Sequence, residues 1–229
     1  ALLYETSRYV DIYKSLDDIA RTRKLTPEER KEQKQYARLA DCFTPLAKGM
    51  NSEYANQNAY DCIQVHGGSG FMIEYTCQRI YRDARITSIY EGTTQLQTVA
   101  AIRYVTNGTY LNVMRDLEAI ETCEKYAATK ERIHAMIGKY EAAVAKVRES
   151  ENQEYLELIS RRLMEMAADT IMSLLLLRDT CQAPELFEKS LTVYVNYAEA
   201  EIAKHSAFIA NITPEALNCY EQAPAKTEE

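Results

Sequence analysis

The sequence predicts an all-α protein, on three observations. Apolar residues recur every three or four positions along most of the 229-residue chain, which is the spacing of one helix face and not of a strand. Proline is sparse, and glycine is both scarce and clustered, so helix interruptions are few. The pair Asn107 and Gly108 separates two long helical stretches. We therefore expect two helical domains, 1–106 and 107–229.

The first domain is predicted to contain helices at about 1–20, 26–66, 78–85 and 93–105. Thr26, Pro27 and Glu29 open the second of these at the N-cap, N1 and N3 positions, where the hydroxyl and carboxylate satisfy free amides. We expect a break near Pro45, because proline cannot donate an interior helix hydrogen bond. The glycine cluster at 67–70 ends this stretch.

The second domain is predicted to contain four helices, at about 109–127, 130–149, 152–180 and 184–210. The helix at 152–180 has a dense face of leucine and methionine, which we expect to pack within this domain or across a subunit boundary. The polar tail after Pro224 is expected to be disordered.

Composition excludes several functional classes. A net charge of -7 argues against nucleic acid or an anionic membrane as the main partner. The longest apolar run, Ile171 to Leu177, is far short of the roughly 20 residues of a membrane-spanning helix. The six cysteines contain no C-x-x-C pair, so we predict neither a metal site nor a disulfide framework. Cysteines of this kind are typical of a reducing compartment, so we predict a cytoplasmic location.

Two segments carry residues suited to chemistry. QVHGGSGF at 64–71 is a glycine cluster at a helix end, where a phosphate or another backbone can approach closely, although a helix cap followed by a turn is the commoner explanation of such a cluster alone. IYEGTTQLQ at 89–97 places Glu91 directly before a helix. Alone, a glutamate there is explained by favourable interaction with the helix dipole.

Together with RIYRDARI at 79–86, these segments resemble the acyl-CoA dehydrogenase family in order, spacing and the Glu-Gly-Thr core. The resemblance covers about 1–106. The region from 107 resembles the extra helical domain of longer members. The implied fold is a helical bundle of the acyl-CoA dehydrogenase C-terminal type, followed by a second helical bundle.

The resemblance implies oxidation of acyl-CoA to trans-2-enoyl-CoA, in which a carboxylate takes the α-proton and FAD accepts the β-hydride. Glu91 would be the catalytic base, desolvated to make it a stronger base, and its backbone N–H would stabilise the thioester oxygen. Gly92 would leave room for the substrate thioester.

The same resemblance assigns flavin contacts. Thr93 and Gln95 would contact FAD at a helix N-terminus. A second group would contact the flavin of a neighbouring subunit, which implies a homodimer or homotetramer: Gln64, Val65, His66, Gly67 and Gly68. His66 departs from the aromatic or aliphatic residue often found there, so we expect a core or interface role, with a cofactor contact as the alternative.

Several points stay open at the level of sequence. The chain begins without methionine, in mid-helix pattern, and lacks the family's N-terminal and middle domains, so we interpret it as a fragment that neither binds FAD tightly nor turns over alone. A non-dehydrogenase flavoprotein, of oxidase or alkylation-response type, and a helical oligomerisation module are the alternatives. An electron-transfer flavoprotein is the expected type of electron acceptor. Arg82 and Asp83 form either a buried pair bracing the catalytic loop or a solvated pair.

Overall fold

The computed structural model describes residues 1–221. Within this range every regular element is a helix and no strand is present, as predicted. The chain forms two compact units, unit 1 at Ala1–Tyr104 and unit 2 from Val105 onward. Assigning 1–106 and 107–229 to separate family domains stays a prediction, and the predicted disordered tail lies outside the described residues.

Unit 1 is built on two antiparallel helices. Its elements are α1 (Leu2–Thr22), α2 (Pro27–His66), α3 (Gly68–Phe71), α4 (Thr76–Thr87) and the greater part of α5 (Thr94–Thr106). The predicted capping box is confirmed: the Glu29 amide donates to Thr26 Oγ1 at 3.2 Å, and the Thr26 amide donates to Glu29 Oε2 at 2.9 Å. The edge of the Tyr9 ring packs against Phe43, which joins α1 to α2.

The predicted break near Pro45 is wrong, because α2 is one helix of 40 residues. Pro45 removes one backbone donor, but the helix on both sides of it is held by burial. Phe43 and Leu46 are completely buried, and the Thr44 hydroxyl donates to the Ala40 carbonyl at 2.7 Å. Packing therefore outweighs the local cost of the proline.

Helix α4 runs antiparallel along the second half of α2. The Asn56 amide donates to the Ala84 carbonyl at 3.1 Å, and the rings of Tyr60 and Tyr81 lie 6.2 Å apart. The turn between the helices includes the short α3, which the sequence did not predict. Gly70 permits it, since a Cβ there would lie 2.6 Å from the Ile63 carbonyl oxygen.

Unit 2 is a bundle around α8. Its elements are α6 (Thr109–Glu118), a 3-10 turn (Glu124–Tyr126), α7 (Ala127–Glu149), α8 (Gln153–Gln182), α9 (Pro184–Asn211), a 3-10 turn (Pro214–Leu217) and α10 (Asn218–Glu221). Its first helix ends nine residues earlier than predicted. The segment after it turns back on itself, with the Thr122 hydroxyl donating to the Ile120 carbonyl.

Helix α8 packs against α6, α7 and α9, which confirms the expectation that it packs within this part of the chain. Its buried hydroxyls are satisfied within the helix: Thr170 donates to Met166 and Ser173 donates to Asp169, each at 2.8 Å. The buried Asp169 carboxylate also accepts from the Tyr194 hydroxyl at 2.9 Å. These polar groups of α8 therefore cost little to bury, because each has a partner. Among the helices described, none combines the length and apolar character needed to cross a membrane.

Candidate active site

The loop between α4 and α5 places Glu91 in an unusual backbone conformation. Glu91 has φ 50° and Gly92 has φ 95°, both in the left-handed region. A Cβ at Gly92 would lie 2.7 Å from Gln97 Nε2, which donates to the Gly92 carbonyl at 3.3 Å. The backbone conformation therefore favours glycine at 92, and a side chain there would also displace the end of the Gln97 side chain. A strained non-glycine residue beside it is typical of a functional loop.

Two side chains of α2 hold this loop at its ends. The Lys48 ammonium donates to the Thr87 carbonyl at the end of α4 and lies 5.3 Å from the centre of the Tyr90 ring. On the other side, the buried Thr94 hydroxyl donates to Glu53 Oε1. Sequence reasoning missed Lys48 and Glu53, since both contacts span about 40 residues of chain. Their position on the inner side of α2 is the only local signal.

A cavity of about 440 Å³ lies between α1, α2 and this loop. One wall is a stripe of α2 residues spaced by three and four positions, which is the period of one helix face. These residues are Thr44, Ala47, Lys48, Asn51, Ser52 and Ala55. Leu3 and Thr6 of α1 form another wall, and Tyr90 and Glu91 complete the lining. Most of the stripe is short side chains, which is what leaves the space.

Glu91 is exposed in this chain. This differs from the desolvated carboxylate expected from the sequence, because the residues around the loop cover the cavity side only. Thr93 and Gln95 are also exposed and lie with Glu91 at the start of α5. The Thr93 hydroxyl accepts from the Leu96 amide at 3.3 Å, so it caps the helix. The structure thus brings Glu91, Gly92, Thr93 and Gln95 together.

The second predicted group lies elsewhere. The segment from Gln64 to Gly68 is exposed at the C-terminal end of α2, about 20 Å along the helix from Asn51 in the cavity wall. His66 is exposed, so a core role is wrong, while an interface role stays a prediction. Within one chain, this segment and Glu91 do not form one site.

The possibility of a buried Arg82–Asp83 pair is wrong, since both side chains are exposed. Neighbouring positions on a helix point in different directions and do not face each other. The arginine that contacts the loop is Arg85, whose guanidinium donates to Ser88 Oγ at 2.6 Å.

Family models match most of the chain. The model of the acyl-CoA dehydrogenase C-terminal domain matches residues 28–105, and the model described as acyl-CoA dehydrogenase C terminal matches residues 106–217. An acyl-CoA dehydrogenase of Bacillus subtilis (strain 168) is 41% identical over 64 residues, which are 28% of this chain and 17% of that protein.

Two solved structures share the fold over nearly the whole chain. An acyl-CoA dehydrogenase from Bacillus anthracis complexed with FAD has a TM-score of 0.64 at 20% identity, over 93% of this chain and 40% of that one. Caenorhabditis elegans ACDH-11 in complex with C11-CoA has a TM-score of 0.60 at 16% identity, over 95% of this chain and 37% of that one. The chain thus spans less than half the length of these proteins. On the family models and their order along the sequence, the chain belongs to the acyl-CoA dehydrogenase family.

Proposed function

We propose that this chain serves the flavin-dependent oxidation of acyl-CoA to trans-2-enoyl-CoA, with Glu91 as the catalytic base. The observation that carries the proposal is the position of Glu91 at the lining of a cavity walled largely by short side chains. Membership of the acyl-CoA dehydrogenase family supports the reaction class. One relative of the same fold was solved with C11-CoA, which supports the substrate class.

The cavity is proposed to hold the acyl chain. A fatty acyl chain gains free energy from leaving water, and the α2 stripe offers it a groove along one helix face. With the chain in this groove, its thioester end would lie at the loop. Gly92 has no side chain to obstruct it there.

Glu91 is proposed to accept the proton that leaves the substrate α-carbon, which then resides on the Glu91 carboxyl. The contacts of Lys48 with Thr87 and Tyr90 would hold the loop in place during this step. The Glu91 backbone N–H is proposed to donate to the thioester oxygen as negative charge develops on it. A bound acyl chain would itself remove water from the carboxylate and make it a stronger base.

The residues at the start of α5 fit an anionic cofactor such as FAD. No acidic residue lies in the first turn of α5, and helix N-termini favour negative charge such as a pyrophosphate. Thr93 and Gln95 would contact it there. When bound, FAD would accept the hydride that leaves the substrate β-carbon.

The segment Gln64–Gly68 is proposed to contact the FAD of a second copy of the protein, as a homodimer or homotetramer. Its distance of about 20 Å along α2 from Asn51 in the cavity wall supports this, because it is too far away to serve the same site. The space beside Gly67 and Gly68 is open, since a Cβ at either would meet no atom within 4 Å. An electron-transfer flavoprotein is proposed as the electron acceptor.

The test uses the full-length protein that is expected to contain this chain, loaded with FAD, mixes it anaerobically with acyl-CoAs of increasing chain length and follows flavin absorbance. Bleaching is expected, and Glu91→Gln should slow it by about 10²–10⁴-fold, the usual contribution of a general base. Glu32→Gln, an exposed glutamate of α2, is the matched control and should leave the rate unchanged. Absence of bleaching with every acyl-CoA, despite bound FAD, would favour a non-dehydrogenase flavoprotein.

The location of the acyl chain has its own test. Ala47→Leu adds three carbons to the cavity wall and should lower activity with long acyl-CoAs more than with short ones, because it fills the groove. Ala135→Leu, at an exposed position of α7, is the control. An equal loss at every chain length would show that the acyl chain binds elsewhere.

A further inference from the structure

A cluster of soft metal ligands lies at the far end of α2 from the cavity. Ligand atoms of Cys62, His66 and Cys77 all lie within 4.8 Å of one another. Cys62 and His66 are four residues apart on one face of α2, and Cys77 belongs to the first turn of α4. Sequence spacing does not predict this group, because the third ligand comes from a separate helix.

The fold of the turn is what brings the third ligand close. Gly70 lets the chain pass against the last turns of α2, at a distance that a side chain would prevent. Cys77 is buried at that point, and its thiol donates to the Gly70 carbonyl at 3.3 Å. The Tyr75 ring stands edge-on to the His66 imidazole, with centroids 6.4 Å apart. These contacts fix the three side chains on one side of the turn.

We propose that Cys62, His66 and Cys77 bind a zinc ion. Tetrahedral zinc, with bonds of about 2.3 Å to sulfur and 2.0 Å to nitrogen, places sulfur and nitrogen ligands about 3.5 Å apart. Cys62 Sγ and His66 Nδ1 lie 3.9 Å apart. Nδ1 also lies 2.8 Å from the Cys62 carbonyl oxygen, so binding zinc through this nitrogen requires that it give up that hydrogen bond and its proton. Thiolate and imidazole are the ligands that zinc prefers, and the two thiol protons leave to solvent on binding.

The arrangement also indicates what kind of zinc site this is. His66 is exposed and Cys77 is buried, so the cluster is open to solvent on one side. Three protein ligands leave a fourth position for water or another small ligand. The ion would join the end of α2 to the start of α4 across the glycine turn. Zinc should therefore stabilise this turn, an effect that can be measured without FAD or acyl-CoA.

The experiment titrates Zn²⁺ into the 229-residue chain, freed of metal with a chelator and kept reduced with a phosphine, against a chromophoric competitor. One ion per chain is expected, with a raised unfolding midpoint. Co²⁺ in its place should give the intense visible and near-ultraviolet bands of tetrahedral thiolate coordination. Cys62→Ser, His66→Gln and Cys77→Ser should each weaken binding by at least about tenfold, the loss caused even by removing an outer partner.

The matched control is Cys123→Ser in unit 2, where Cys123 and Cys181 also lie in contact but without a histidine in the group. Its zinc affinity should equal that of the parent chain. If Cys77→Ser does not fold, the exposed His66 and half-buried Cys62 variants decide the question. The proposal fails if binding is not stoichiometric, if the control loses it instead, or if Cys62 and Cys77 are recovered as a disulfide that takes no zinc.

Discussion

Units 1 and 2 are both helical, but they differ in how many of their large apolar side chains are buried. In unit 2 the large apolar residues of α7, α8 and α9 are mostly buried, and few are exposed. In unit 1 the segment from Val65 to Val99 leaves many exposed, including Phe71 and Ile73 at 79% and 82%. Unit 2 thus buries most of its large apolar side chains within itself. Unit 1 has a surface on which contact with another protein surface would be favourable.

The same contrast extends to how the helices are held. α8 is buried on most sides, so its stability comes from packing. α4 has Cys77 as its buried residue, and it depends on contacts from α2 such as Lys48 to Thr87 and Asn56 to Ala84. Substitutions should therefore act through volume in unit 2 and through specific backbone and polar contacts in unit 1.

The largest effect is expected in the core of unit 2. Leu163 is completely buried, and Leu163→Ala should lower the free energy of unfolding by about 3 kcal/mol through lost burial and a cavity. Ile89→Ala removes a similar volume from unit 1, where the side chain is 45% exposed, and should cost less than about 0.5 kcal/mol. Urea denaturation followed by circular dichroism measures both. Equal losses would remove the contrast between the units.

Replacing a glycine by alanine should lower the stability at position 92 of unit 1 and raise it at position 138 of unit 2. Gly92→Ala meets an unfavourable φ and displaces Gln97, so it should cost about 1–2 kcal/mol. Gly138→Ala lies in α7 with open space around it and should stabilise by about 0.5–1 kcal/mol. Thermal unfolding of both variants tests the pair. A neutral Gly92→Ala would show that the loop conformation is not required.

The capping box of α2 gives a smaller effect. Thr26→Ala removes the hydroxyl that accepts from the Glu29 amide, and should cost about 1 kcal/mol. Thr26→Ser keeps that acceptor and should retain most of the stability. Hydrogen exchange of the first turn of α2 reports the change locally, and equal protection in both variants would contradict the capping contribution.

The smallest effect is a pH dependence in unit 2. Burial alone would raise the pKa of Glu165, but hydrogen bonds from His205 and Arg161 outweigh it and hold this pKa below the ordinary 4.5. A carboxyl whose pKa is lowered by folding stabilises the folded state fully at pH values above its unfolded-state pKa. This stabilisation is lost as the pH falls through its folded-state pKa. The midpoint of thermal unfolding should therefore fall less steeply from about pH 6 to pH 3 in Glu165→Gln than in the parent chain. Glu131→Gln, exposed on α7, should follow the parent.

Sequence patterns predict the parts of this molecule that local physics decides. The start of α2 follows from Thr26 and Glu29, and the all-α fold follows from apolar periodicity. Pro45 shows the limit, because burial of its neighbours against α1 overrides a local rule. Lys48 and Cys77 show another, since each reaches its partners only through the pairing of α2 with α4. Long-range contacts of this kind leave no trace in the spacing of residues along the chain.

Because α2 is one continuous helix, the direction that the cavity stripe faces fixes the direction that Cys62 and His66 face at its far end. Each residue turns an α-helix by about 100°. One residue inserted between Ala55 and Cys62 would leave the cavity stripe in place, yet swing Cys62, His66 and the glycine turn about a quarter of the way around the axis. Such an insertion would also misalign α4, whose residues pair with α2 along this length. A change of seven residues, about two turns, would bring the phase back to within about 20°. In relatives, insertions and deletions should therefore fall outside the second half of α2.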